Sequence, residues 1–279
     1  MLLKFTKMHG CGNDYIYVNC FETELTNPNA VARRVAERHY GVGSDGLIMI
    51  CPSDVADAKM RMFNADGSEG AMCGNAIRCV GKYLYDTGLA KKETVTVETL
   101  SGIKTLSMHI ENGVAVGATV RMGKASFKKE DVPVVWESEE SVAVPLQVDD
   151  RVFECTAVSM GSAHCVCFVE DVQSFPLHIY GKAMEVHPAF PNRVNAEFVR
   201  VIDRRTIEMR VWERGSGETW ACGTGSCASV AAAVALGHCD KGEDVTVLLK
   251  GGALTIRVTD DEVYMTGPAV KICDGVMEL

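Results

Sequence analysis

The chain has 279 residues, of which 47% are hydrophobic and 23% are charged, the composition of a globular protein long enough for two domains. A formal net charge of -9 without a basic run argues against nucleic-acid binding, which relies on lysine and arginine at phosphates. No apolar run reaches the roughly 18 residues of a membrane span, and Lys4 and Lys7 interrupt any signal-peptide pattern. Twelve cysteines without an export signal predict a cytoplasmic protein rather than a disulfide framework.

The first part of the chain predicts several strands and one surface helix. Two strands within residues 2–18 surround a glycine-rich loop, and Asn13 at its tip is a candidate ligand contact. A helix is expected over residues 28–40, with Pro28 in its first turn and Gly41 just past its end. Further strands are expected at residues 47–51 and 59–63 and, as a consecutive set, within residues 94–120.

The second part of the chain repeats this plan. Residues 123–150 hold two prolines and several acidic residues, which places the domain junction near Gly123. We therefore predict domains over residues 1–122 and 123–267, with residues 268–279 as a candidate return to the first. Residues 172–190 replace the surface helix less regularly. Strands are expected at residues 153–159, 165–170, 195–202, 206–212, 244–249, 253–259 and 262–266.

The most informative stretch is residues 220–237, which read W-A-C-G-T-G-S-C-A-S-V-A-A-A-V-A-L-G. A helix that is apolar all round is expected to be buried, with Cys222 at its start and Gly237 as its stop. The positive end of the helix dipole biases a thiol there toward thiolate and favours a docked anion. Gly223 and Gly225 are expected to let a ligand approach the backbone.

This stretch occurs twice in the chain. Residues 72–88 again read as a cysteine, a glycine, a short helix and a closing glycine. The offset between Cys73 and Cys222 is 222 − 73 = 149, and the same offset pairs Asn64 with Glu213. A register shared over about half the chain indicates two homologous halves.

Duplicated halves commonly place equivalent elements across one cleft, so Cys73 and Cys222 are expected to face each other. The amides near Gly74 and Gly223 would then converge on one carboxylate, with its α-carbon between two sulfurs. One cysteine as thiolate would remove the α-proton while the other, as thiol, gives a proton to the opposite face. The aimed amides would stabilise the carbanion. Such a reaction inverts the α-carbon and needs no cofactor.

Two segments carry a specific resemblance: F-N-A-D-G-S-E-x-x-x-C-G-N at residues 63–75 and E-R-G-S-G-E-T-x-A-C-G-T-G at residues 213–225. They resemble the two signatures of diaminopimelate epimerases, a family of racemases that work without pyridoxal phosphate. M-H-G-x-G-N-D at residues 8–14 and R-V-N at residues 193–195 agree, and the similarity covers essentially the whole chain. The resemblance implies an isomerase that converts L,L-diaminopimelate to the meso isomer, for lysine and peptidoglycan synthesis, as a cytoplasmic homodimer without cofactor or metal.

The resemblance also implies an α+β fold with two pseudo-symmetric domains, each a barrel-like mixed sheet wrapped around a central buried helix. It makes Cys73 and Cys222 the acid/base pair, with His164 and Glu213 tuning the thiols. Arg214 suits a second carboxylate on the substrate, because its guanidinium can form two parallel hydrogen bonds. The residues implied to bind substrate are Asn13, Asn64, Gly74, Asn75, Ser162, Asn195, Glu213, Arg214, Gly223 and Thr224.

The sequence departs from the family pattern at three positions. Ser162 stands where the family usually has the asparagine of G-N-P-H, and a serine is too short to replace its amide directly. Gly46 stands where some members carry glutamine, and Ala76 where the motif has glycine. These departures leave open a racemase of the same architecture for another amino acid, such as histidine, proline or a diamino acid analogue. The pair Glu213 and Arg214 favours a substrate with a second charged end.

A non-catalytic interpretation, in which the cysteines serve structure or bind metal, also stays open at this point. Cys165 and Cys167 form a close pair, but no C-x-x-C pair exists, so a structural zinc site is disfavoured. This interpretation predicts that replacing Cys73 or Cys222 costs stability or bound zinc, with no exchange activity to lose.

Overall fold

A computed structural model describes residues 2–136 and 141–279 of the chain. These residues form two compact units, Met1–Arg121 with Thr266–Leu279 and, as the second, Met122–Met265. Within the described ranges, no helix combines the length and the apolar character required to cross a membrane.

The first unit is a mixed sheet with two helices. Its helices are Pro28–Ala36 (α1) and Gly74–Thr87 (α2). Its strands are Leu2–Gly10 (β1), Asn13–Asn19 (β2), Gly46–Cys51 (β3), Ala58–Asn64 (β4), Glu69–Gly70 (β5), Thr94–Thr99 (β6), Gly102–Glu111 (β7), Val114–Gly123 (β8) and the last strand of the chain, Val270–Glu278 (β18).

The second unit follows the same plan. Its helices are Leu177–Glu185 (α3) and Gly223–Ala235 (α4). Its strands are Val144–Val148 (β9), Arg151–Ser159 (β10), Ala163–Phe168 (β11), Asn195–Asp203 (β12), Thr206–Glu213 (β13), Gly217–Thr219 (β14), Asp244–Leu249 (β15), Gly252–Val258 (β16) and Val263–Pro268 (β17).

The two units repeat one pattern of strand pairing. In the first, β1 pairs antiparallel with β2, β2 parallel with β3, β3 antiparallel with β4, and β4 parallel with β6. In the second, β10, β11, β12, β13 and β15 pair in the same order and with the same directions. The 149-residue repeat in the sequence therefore recurs as a repeat of topology.

The central helices α2 and α4 are largely buried, which the apolar composition of α4 predicts. Cys73 is the N-cap of α2 and Cys222 the N-cap of α4. At their other ends, Gly88 and Gly237 adopt φ angles of 83° and 75°, the left-handed conformation that glycine tolerates best at a helix end. Both cysteines thus stand at the entrance of a core helix.

Helix α1 is shorter than the predicted residues 28–40. It ends at Ala36 because Glu37 turns to an extended conformation, with φ −60° and ψ 123°. The amides of Val42 and Gly43 then fold back onto the carbonyl oxygen of Val35. These bonds satisfy the end of the helix without another helical turn.

The sequence pattern did not predict β9 or β18. Pro145 lies within β9, opposite Glu154 of β10, and proline is tolerated where a strand lies at an edge. β18 pairs antiparallel with β1 over eight residue positions from Leu2 to His9. The last residues of the chain thus complete the sheet of the first unit, and Met277 and Leu279 pack against its hydrophobic core.

Candidate active site

The start of α2 brings three predicted site residues together in the first unit. The Cys73 thiol donates to Asn13 Oδ1 over 3.3 Å, and Asn75 Nδ2 donates to the same oxygen over 3.5 Å. Asn13 is the first residue of β2, and Gly74 opens the helix. A side-chain amide therefore links the loop between β1 and β2 to the first turn of α2.

Asp45, just before β3, orients the Asn13 amide. Asn13 Nδ2 donates to Asp45 Oδ2 over 2.7 Å, which turns Oδ1 toward Cys73. Burial raises the pKa of Asp45, an effect that outweighs the hydrogen bond from Asn13. The same oxygen also accepts from the Asp14 amide, so Asp45 ties both residues to the end of the neighbouring strand.

Arg78 is fully buried one turn into α2. Its guanidinium donates to Gly74 O over 2.8 Å and to Asn75 Oδ1 over 3.0 Å. A Cβ atom at Gly10 would lie 2.8 Å from Arg78 Nη2, so glycine provides the space that the guanidinium occupies. Arg78 thereby holds the Asn75 amide from the side opposite Asn13.

Asn64 is held within its own turn. It ends β4, and its Nδ2 donates to Ser68 Oγ over 3.0 Å. Its role in substrate binding stays a prediction.

The start of α4 presents the second thiol. Cys222 is 6% exposed, and its Sγ accepts from the Gly225 amide over 3.3 Å and lies 3.6 Å from Thr224 Oγ1. Gly223 is the first residue of the helix. The space beside Gly225, expected to admit a ligand, is filled by protein: a Cβ there would lie 2.5 Å from Glu197 Oε1.

Electrostatics at Cys222 differ from the expectation based on the helix dipole alone. Burial, with the carboxylates of Glu213 and Glu197 as further causes, raises the pKa of Cys222 well above its ordinary value. The Gly225 amide and the Thr224 hydroxyl act in the opposite direction but are smaller effects. The predicted bias toward thiolate is therefore wrong for Cys222 in the free protein, because desolvation dominates.

Glu213 lies at the end of β13 and accepts a hydrogen bond from the Thr219 hydroxyl. Burial raises the pKa of Glu213, and the charge of Glu197 acts in the same direction. Its carboxyl group interacts with both Cys222 and His164. The structure therefore brings together the two residues predicted to tune the thiol.

Asn195 and Arg214 meet through the backbone. Asn195 Nδ2 donates to Ala163 O over 3.0 Å, and its Oδ1 accepts from the Arg214 amide over 2.9 Å. The Arg214 guanidinium is exposed and donates to Asn192 O over 3.1 Å. Its predicted bond to a substrate carboxylate stays a prediction.

Ser162, His164 and Glu197 form a chain of polar side chains. Ser162 Oγ lies 2.9 Å from His164 Nε2, and His164 Nδ1 lies 2.7 Å from Glu197 Oε1. The side chains of His164 and Glu197 are both 0% exposed. The serine that departs from the family motif thus fixes one nitrogen of the buried imidazole.

Three residues of this environment were missed from the sequence: Asp45, Arg78 and Glu197. Each is a charged residue next to or within an apolar pattern, as in A-E-F-V at residues 196–199. A charged side chain at a buried position needs a partner, so a charged residue within an apolar run could have indicated a functional position. The partner itself depends on the fold.

Cys155, Cys165 and Cys167 form a buried thiol cluster whose sulfurs lie within 4.8 Å of one another. Cys155 and Cys167 face each other across β10 and β11, and Cys165 donates to Met184 Sδ over 3.7 Å. All four residues belong to one hydrophobic cluster. We assign the thiols to core packing, in which free cysteine acts as a small apolar residue, and the absence of a metal stays a prediction.

Comparison with known proteins places these features in one family. A family profile described as diaminopimelate epimerase matches residues 5–128 and 156–272. The chain is 53% identical to a diaminopimelate epimerase of Acetivibrio thermocellus over 99% of both chains. It is 50% identical to a diaminopimelate epimerase of Methanococcus maripaludis, over 99% of this chain and 100% of that one.

Solved structures of more distant sequence share the fold. A hydroxyproline epimerase from Agrobacterium vitis superposes with a TM-score of 0.74 at 14% identity, covering 99% of this chain and 91% of the other. A PhzF-family phenazine biosynthesis protein from Bacillus anthracis gives 0.72 at 16% identity, with 100% of both chains covered. The predicted resemblance and α+β fold class are confirmed.

Proposed function

This chain belongs to the diaminopimelate epimerase family, so we propose that it converts L,L-diaminopimelate to meso-diaminopimelate, an isomerase step in lysine and peptidoglycan synthesis. Cys73 and Cys222 are the two acid/base groups of this reaction. One sulfur, as thiolate, takes the α-proton, and the other, as thiol, gives a proton to the opposite face of the carbon. The observation that carries the proposal is a thiol at the N-cap of each of two equivalent buried helices.

We infer different roles for the two thiols from the surroundings of Cys222. Because burial and two carboxylates raise the pKa of Cys222, this residue is the proton donor. The role of base then belongs to Cys73, which must first lose the proton that it donates to Asn13 Oδ1. In the reverse direction the roles exchange, as microscopic reversibility requires.

The residues around each thiol supply the substrate contacts. Asn13, Asn75 and the backbone at Gly74 surround Cys73, and Gly223 and Thr224 begin the helix that Cys222 caps. Helix N-termini present free amides to anions, so they bind the carboxylate next to the reacting carbon and stabilise its carbanion. The groups assigned mainly to the distal amino acid end are Asn64, Asn195, Glu213 and Arg214, and Ser162 is a further substrate contact.

We also infer a cytoplasmic homodimer in which the halves of the duplicated chain correspond to the two compact units. All twelve cysteines are free thiols, which fits a reducing compartment. Sedimentation of the purified protein tests the oligomeric state, and a sedimenting species of one chain would contradict the dimer.

Solvent exchange tests the function directly. The protein is incubated with L,L-diaminopimelate in heavy water, and deuterium at the α-carbon is followed together with the ratio of isomers. We expect deuterium to enter as the meso isomer forms, without added cofactor. A parallel panel of histidine, proline and other diamino acids identifies the alternative racemase: exchange with one of these but not with diaminopimelate would overturn the proposed substrate.

A further inference from the structure

Glu197 occupies a position where an ionised side chain is costly. It lies in β12 between Ala196 and Phe198, and none of its surface is exposed. Moving a carboxylate out of water costs several kcal/mol unless partners compensate. A glutamate at the centre of this strand therefore requires a specific interaction.

His164 supplies that interaction from the neighbouring strand. β11 and β12 are parallel, with His164 opposite Asn195 and Val166 opposite Glu197. His164 Nδ1 lies 2.7 Å from Glu197 Oε1. This hydrogen bond satisfies one of the two oxygens of the buried carboxyl group.

The second oxygen of Glu197 has a different environment. Within residues 2–136 and 141–279, Glu197 Oε2 has no hydrogen-bond partner. The carboxyl group is therefore held through Oε1. Ser162 meanwhile contacts His164 Nε2, so the imidazole ring is held at both nitrogens and cannot turn away from the carboxylate.

Gly225 brings this charge next to the thiol. A Cβ atom at Gly225 would lie 2.5 Å from Glu197 Oε1 and 3.2 Å from Cys222 Sγ. The missing side chain therefore leaves Glu197 and Cys222 on either side of one small space in the first turn of α4. No larger residue would permit this approach.

We propose that Glu197 is a positioning residue of the acid/base pair: paired with His164, its carboxylate holds Cys222 in the protonated, proton-donating form. The inference rests on the proposed function, in which Cys222 is the proton donor. The carboxylates of Glu213 from β13 and Glu197 from β12 both act on Cys222. Glu213 in turn interacts with Glu197 and His164, so the three groups act on the thiol together.

Thiol alkylation tests the proposal without any substrate. The rate of iodoacetamide reaction at Cys222 is measured against pH by mass spectrometry of its peptide, with exposed Cys273 as internal reference. In Glu197→Gln we expect the rate at pH 8 to rise at least about fivefold, which is the effect of removing a unit charge about 4 Å away even with the screening of bulk water. Glu154→Gln, at an exposed position of β10, is the matched control and should react like wild type.

A second readout uses turnover. The alkaline limb of the pH profile of kcat/KM reports loss of the Cys222 proton, so Glu197→Gln should move it to lower pH while Glu154→Gln leaves it in place. A merely structural role would lower activity at every pH equally. Equal alkylation rates in wild type and Glu197→Gln would overturn the inference, even if the epimerase activity is present.

A variant on the histidine keeps the test decisive if Glu197→Gln does not fold. In His164→Ala the carboxyl group loses the hydrogen-bond partner that holds it beside Gly225 and Cys222, so Cys222 should again react faster. Unchanged reactivity in this variant would contradict the proposal. Failure of wild type to exchange diaminopimelate in heavy water would instead overturn the proposed function and leave the thiol chemistry measurable.

Discussion

At the scale of single residues, two opposing influences decide the state of Cys222. The helix N-terminus and the Gly225 amide favour a thiolate, whereas burial and two carboxylates favour the thiol. Burial is the largest of these effects, so the pKa of Cys222 is raised. A thiol that keeps its proton in the free protein is suited to donate that proton to a carbanion.

Replacement of either thiol removes one half of the proton transfer. We expect Cys73→Ala and Cys222→Ala each to lower kcat by about 10³-fold, the usual contribution of an acid/base group. The fold should persist, because each change removes a single sulfur. Cys273→Ala, at an exposed position, serves as the control. Epimerisation at the wild-type rate in both single variants would refute the two-thiol mechanism.

The buried carboxyl group of Glu213 should make the stability of the protein depend on pH. Burial raises the pKa of Glu213 in the folded protein. The stability that this group contributes is therefore fully present below its pKa in the unfolded chain and is lost as pH rises through its pKa in the folded protein. Glu213→Gln removes the cost of burying a charged carboxylate. We expect the free energy of unfolding of the variant to exceed that of wild type by about 1 kcal/mol at pH 8, and by less at pH 5.

Urea unfolding at both pH values measures this difference. Glu154→Gln is again the control, because Glu154 is exposed and its substitution should leave the pH dependence unchanged. A Glu213→Gln difference that is the same at pH 5 and pH 8 would show that Glu213 is not destabilised by burial.

At the scale of elements, α4 is a buried helix that also carries the site residue Cys222 at its start. Its residues are apolar and mostly buried, so packing rather than a polar face holds it in the second unit. Gly225 is an exception to good helix composition, since glycine costs about 1 kcal/mol relative to alanine. Its position between Glu197 and Cys222 explains why a larger residue is not accommodated.

Gly225→Ala should therefore destabilise the protein despite better helix propensity. The added methyl group would lie 2.5 Å from Glu197 Oε1, and the resulting shift should cost about 1–3 kcal/mol and lower activity. Ala235→Gly, at an exposed position of the same helix, is the control for helix propensity alone. The free energy of unfolding measures the effect, and an increase in stability for Gly225→Ala would contradict the described packing.

At the scale of the whole molecule, the chain ends in the unit in which it began. β18 pairs with β1 along its edge, and Leu3 of β1 is fully buried. Met277 and Leu279 pack against the cluster that contains Leu3. The first unit is therefore built from residues 1–121 together with residues 266–279.

Deletion of residues 270–279 should destabilise the first unit by at least about 3 kcal/mol, because it uncovers large apolar side chains and the edge of β1. Thermal unfolding of the truncated chain measures the loss. Lys271→Ala, an exposed substitution in β18, should change the midpoint little. A truncated chain that melts like wild type would show that β18 is dispensable.

The sequence by itself determined the features that depend on local pattern. Apolar composition and a closing glycine located α4, and a shared offset identified α2, the two halves and their N-cap cysteines. The motifs around these cysteines were sufficient to identify the family. Alternation located most strands, whereas Pro145 concealed β9 because the pattern does not show which strands lie at an edge.

Only the tertiary structure decided which distant residues meet. Glu197 lies 33 positions from His164 along the chain, and no periodicity relates the two. Burial of Cys222 depends on all the elements packed around α4, so the direction of its pKa shift is a property of the assembled core. Hydrophobic pattern is encoded residue by residue, but desolvation and charge pairing arise from neighbours that the fold brings together.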